Sequence, residues 1–133
     1  MVRLLFMVQG VLQYFVAIGA LIVGVMFVYE PSGALVSASP ALLRNSPFTN
    51  YLLPGIILFC VNGVGQATAG YLTLRRHRHA GIVGGIFGLG LVIWLFVQVT
   101  LIGGGYLIQN VYFAFGVAET TLAFFIDRAL RPA

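Results

Sequence analysis

The amino-acid sequence predicts an all-α integral membrane protein, an antiparallel bundle of four transmembrane helices. Three observations predict it. Of its 133 residues, 60% are hydrophobic and only 8% are charged; a soluble domain of this size could not hide so much apolar surface, so its solvent must be lipid. The apolar residues gather into runs at 4–28, 51–74, 80–102 and 106–126, each near or above the roughly 20 residues that cross the hydrocarbon core as a helix. The basic residues stand at the ends of these runs and not along a face.

Each run is helical because lipid offers backbone groups no hydrogen bonds. The first, 4–28, follows Arg3 and imitates a secretory signal, but it is longer than the about 7–15 apolar residues of a signal core, so it reads as a retained span. Residues 29–50 then form a connection too short for a domain. Within it Ser39-Pro40 reads as an N-cap and first helical residue, with Leu42 and Leu43 following, which predicts a short helix lying at the membrane interface. Pro47 and Pro54 punctuate the approach to the second run. The turn Arg75-Arg76-His77-Arg78-His79 joins the second run to the third, and Gly103-Gly104-Gly105 joins the third to the fourth. Such short turns make neighbouring helices antiparallel.

The formal charge of +4 comes wholly from arginine. Arg3, Arg75, Arg76, Arg78, Arg128 and Arg131 fall at one set of run ends and Arg44 at the other. By the positive-inside rule both termini and the basic turn are cytoplasmic, which places a multi-pass chain in the cytoplasmic membrane. Arginines at span ends are what topology requires, so membrane lipids are the expected partners and nucleic acid is not. The single cysteine, Cys60, sits in an apolar run and reads as a small buried hydrophobe; no intrachain disulfide can form.

The stretches Ser46-Pro47-Phe48 and Tyr51-Leu52-Leu53-Pro54-Gly55, together with Trp94, Gln98, Ile102-Gly103, Gln109 and Tyr112-Phe113, make the chain resemble a family of small uncharacterised prokaryotic four-helix membrane proteins over roughly residues 30–125. A looser likeness to DoxX-type proteins rests on size and topology alone. The resemblance implies the four-helix fold and carries no activity. Where members have Gln-Pro at the start of the fourth span this chain has Gln109-Asn110, so no kink is carried over there.

Polar residues inside the runs are what an inert bundle would not need. Glu119 lies about eight residues, or roughly 12 Å of helix, inward from Asp127, where a carboxylate costs about 2.5–3.5 kcal/mol even on lenient insertion scales. It should therefore face the interior, on one side of its helix with Tyr112, Gly116 and Ala123. Gln13 is about 15 Å from Arg3 and Gln66 about 13 Å from Arg75 along their helices, so the three groups share one depth. Gln9 stands one turn from Gln13, with Ala17, Ala20 and Gly24 on the same face; Asn62 stands one turn from Gln66, with Ala69 and Thr73. Three of the four helices can thus point Gln9, Gln13, Asn62, Gln66 and Glu119 into the cytoplasmic half of the interior. The bland reading is hydrogen-bonded glue between helices, at about 0.6 kcal/mol per contact. The functional reading is a polar cavity that binds or passes a small solute, an ion or a proton, with Glu119 as its titrating member.

Small residues recur at four-residue spacing, as Gly81 with Gly85 and Gly84 with Gly88 on the third run, Ala20 with Gly24, and Gly63 with Ala67. They let helices approach closely within the chain; a homo-oligomer, or an accessory role in a larger membrane complex, is the alternative use of such faces. Trp94, Tyr29, Tyr51 and Tyr106 read as interfacial anchors, and Gln98 with Gln109 as a weaker polar set near the outer side. His77 and His79 lack a third ligand and make no metal motif. No nucleophile-and-base pair, paired catalytic carboxylates or phosphate-cradling loop is present, so neither enzyme chemistry nor a cofactor is expected, and a lipid-modifying enzyme is the least supported reading.

Overall fold

The computed structural model describes residues 2–36, 40–44 and 46–131. The described residues form helices and turns without a strand. Helix α1 is Val2–Tyr29, α2 is Leu52–Leu74, α3 is Ala80–Ile102 and α4 is Leu107–Leu130. Three of them, α1, α2 and α3, are long and apolar enough to cross a membrane. Helix α4 is of similar length, at 24 residues, but its polar positions at Gln109, Asn110, Glu119, Thr120, Thr121 and Asp127 make it less apolar.

The distribution of side chains is the reverse of a soluble protein's. Outward faces carry Ile18, Ile22, Ile82, Ile86, Ile93, Phe96 and Phe124, whereas Gln9, Gln13, Asn62, Gln66, Thr73, Gln109 and Glu119 are buried. Water would invert that arrangement; hydrocarbon solvent favours it. Threonines within the helices return their hydroxyls to their own backbone, as Thr73 does to the Ala69 carbonyl at 2.8 Å and Thr120 to the Gly116 carbonyl at 2.8 Å. Each hydroxyl is thereby satisfied without a partner from outside.

The basic end is closed by Phe6, Ala80 and Ile126, with Leu5, Leu72 and Leu130 packed around them. The start of α1, the end of α2, the start of α3 and the end of α4 therefore meet there. The Arg76 guanidinium lies 5.0 Å over the Phe6 ring, and Asp127 holds Arg131 one turn on at 2.6 Å.

Glycine sets the closest helix approaches. A methyl group on Gly81 would stand 2.6 Å from the Asp127 Cα, and one on Gly88 would stand 2.9 Å from the Thr120 nitrogen, so α3 and α4 touch backbone to backbone. Gly116 answers from α4, where a methyl would lie 3.2 Å from the Gly88 carbonyl oxygen. Gly24 and Gly55 make the same kind of crossing between α1 and α2. The stripe was expected to include Gly85, but its nearest neighbour would be the Ala123 methyl at an ordinary 3.8 Å, because it lies to one side of the seam. On α2 the close contacts fall on Gly55, Gly63, Gly65 and Gly70, while Ala67, the expected partner of Gly63, is only half-buried.

Helix α2 is not uniform. It is α-helical over Leu52–Ile57, widens to a π-helix over Leu58–Gly65 and returns to α over Gln66–Leu74. Cys60, expected inside, faces outward from the π-helical stretch; an apolar thiol is at home against hydrocarbon. The short helix expected after Ser39 is present as a 3₁₀ turn, Pro40–Leu43, which packs on α3 through the buried Leu43; Ser39 itself lies outside the described residues. Tyr51 and Trp94 also depart from the anchor expectation. Tyr51 is buried and stacks on Phe27 with ring centroids 4.6 Å apart, and Trp94 turns inward beside Val16, Leu91 and Leu95. Tyr29 and Tyr106 remain exposed.

A candidate polar site in the helix interior

Four polar side chains of the predicted set, Gln9 and Gln13 from α1, Gln66 from α2 and Glu119 from α4, converge on α3 in the half of the molecule nearer the basic end. Asn62 stands one turn from Gln66, near the middle of α2. Gln13, Gln66 and Glu119 have no exposed surface at all, and Gln9 and Asn62 retain 1%. The Gln9 amide donates from Nε2 to the backbone carbonyl of Glu119 at 2.8 Å, tying α1 to α4. Gln66 donates from Nε2 to the Phe87 carbonyl at 3.1 Å, tying α2 to α3. Gly84 makes room for the cluster: a methyl there would lie 2.9 Å from Gln13 Nε2, 3.4 Å from Gln9 Nε2 and 3.5 Å from the Ala123 methyl. Gly88, one turn on, would meet the Glu119 Cβ at 3.1 Å. The glycine face of α3 is thus filled by its own chain.

After those two bonds, eight buried side-chain oxygens and nitrogens of these five residues have no protein partner: Gln9 Oε1, both polar atoms of Gln13, both of Asn62, Gln66 Oε1 and both carboxylate oxygens of Glu119. Gln66 comes close enough to influence the Glu119 carboxyl, without the geometry of a hydrogen bond. An unmet buried polar group costs about 1–3 kcal/mol. No arginine or histidine is buried among the described residues, so the Glu119 carboxylate has no countercharge from the protein. A lone charge in a low-dielectric interior must be neutralised, by a proton or by a bound cation.

The molecule also holds a partly open cavity of about 220 Å³, displaced toward the far end. Its walls are mainly apolar, and its polar members are Asn62, Trp94, Gln98, Gln109 and Tyr112. Asn62, one turn from Gln66 on α2, lines this space, whereas Gln9, Gln13, Gln66 and Glu119 do not. Gln109 is 5% exposed. Its Nε2 donates to the Gly103 carbonyl at 3.2 Å in the turn before α4, while its Oε1 is buried without a partner. The sequence placed Gln98 and Gln109 near headgroups; one signal of more was available, since Trp94, Gln98 and Leu91 share one face of α3.

The histidines of the basic turn are exposed. His77 and His79 lie 5.3 Å apart in the basic turn, and His77 Nδ1 accepts from the His79 backbone N–H at 3.1 Å. No group of three or more metal-binding side chains occurs among the described residues. Comparison with known proteins finds no matching family model, curated protein or solved structure.

Proposed function

We propose that this chain is a four-span protein of the cytoplasmic membrane, with both ends and the basic turn cytoplasmic, that binds a small monovalent cation, the proton included, at the Glu119 cluster. The observation that carries this reading is the wholly buried, unpaired Glu119 carboxylate among amides whose oxygens lack partners. One negative charge calls for one positive charge, and amide oxygens of Gln9, Gln13 and Gln66 are ligands that hard cations accept. Depth in the membrane adds to the case, because intramembrane carboxylates belong to ion and proton pathways. The resemblance to small four-helix membrane proteins agrees with the topology and supplies no activity.

The test is thermal unfolding in nanodiscs across a pH series, with sodium, lithium or potassium set against N-methylglucamine. A cation or proton that binds the folded state raises its midpoint by mass action. Wild type should show such a rise, and Glu119→Gln, which keeps the shape and removes the charge, should lose it. A wild-type midpoint indifferent to both pH and cation, or a response that survives in Glu119→Gln, overturns the reading.

A further inference from the structure

We infer that the far-half cavity is a second binding site, for a neutral one- or two-ring molecule that carries a hydroxyl, a phenol being its simplest form. Size sets the ring count. An engineered apolar cavity of about 150 Å³ holds benzene, and this one is about 220 Å³. Its walls combine aliphatic side chains with the rings of Phe27, Trp94 and Tyr112 and contain no charged residue, which selects an uncharged, flat, lipid-soluble guest.

The hydroxyl follows from the polar atoms. Gln109 is held by its own amide donor to Gly103, so the atom it has left to offer is the acceptor Oε1. Asn62, on the opposite helix, offers both a donor and an acceptor without partners. Both side chains are more than nine-tenths buried and line the cavity. A hydroxyl donates and accepts, so it satisfies either wall; a pure hydrocarbon satisfies neither. This site does not depend on cation binding at Glu119.

Trp94 is the single tryptophan of the chain and lines the cavity, so its fluorescence reports occupancy directly. The experiment titrates wild-type protein in nanodiscs with phenol and, separately, with toluene, exciting where phenol does not absorb. Saturable change with phenol, at about tenfold lower concentration than toluene, is expected from one hydrogen bond to a buried acceptor. Gln109→Leu should narrow that preference, and Gln109→Leu combined with Asn62→Leu should remove it, while toluene binding stays in place. Gly19→Val, which fills the cavity beside the Tyr112 hydroxyl, 3.0 Å from a methyl at that position, should weaken both. Equal saturation by phenol and toluene in wild type overturns polar recognition. A linear response unchanged in Gly19→Val reports partition into lipid and overturns the site itself; neither result bears on the cation response of Glu119.

Discussion

Gln13 is the residue at which a structural and a functional polar layer part company. Neither of its amide atoms has a partner, and it is wholly buried. If the layer served only to join helices, Gln13 would be bonded across the interface, as Gln9 is to the Glu119 carbonyl. An orphan is expected to cost stability, so in N-methylglucamine, where no metal cation fills the site, Gln13→Met, which keeps volume and removes the polar atoms, should raise the unfolding midpoint, by the equivalent of about 1 kcal/mol or more. A lower midpoint would mean that Gln13 holds the bundle together and would weaken the cation site with it. Depth along each helix was readable from residue counting, which put Gln13, Gln66 and Glu119 in one layer. Which atoms pair was not readable, because it depends on rotations of a few tens of degrees that hydropathy does not encode.

Between helices, the α3–α4 seam separates glycines that are needed from glycines that are not. Gly81 and Gly88 face α4 backbone at distances no side chain tolerates, whereas Gly85 meets only a methyl at 3.8 Å and Gly90 meets nothing within 4 Å. Alanine at Gly81 or Gly88 should therefore destabilise by about 1–3 kcal/mol through overpacking. Alanine at Gly85 or Gly90 should be neutral or gain about 0.5–1 kcal/mol from reduced backbone entropy. Unfolding of the four variants in one detergent checks this, and four equal effects would show that the seam is not set by these contacts. Four-residue spacing made the stripe visible in the sequence but could not say that the seam takes one member of each interleaved pair, Gly81 and Gly88, while Gly84 faces the polar cluster and Gly85 stands aside. On α2 the spacing misled more, since the π-helical stretch Leu58–Gly65 changes the angular step. Cys60 turns outward on the same face as Ile56 and Val64, and Gly65 is pressed against the Phe87 ring.

At the scale of the whole molecule the path of α4 decides whether Glu119 lies inside the membrane. The length of α4 suits a span, and its one buried carboxyl, Glu119, points into the bundle, so burial of Glu119 among the other three helices removes the cost that hydropathy alone would count against it. A helix with a carboxyl at mid-depth crosses a membrane when neighbouring helices cover that carboxyl. The two ends of α4 are therefore expected on opposite sides of the bilayer, with its arginine-bearing end on the side of the basic turn. Single cysteines in a Cys60→Ser background decide it, at Thr49, His77 and Ala129, all on exposed positions. A membrane-impermeant maleimide should label Thr49→Cys in intact cells, and should reach His77→Cys and Ala129→Cys only after the membrane is opened. Labelling of Ala129→Cys together with Thr49→Cys from outside would leave α4 on the outer surface, expose Glu119 to water, and take away the reason for a cation to bind there.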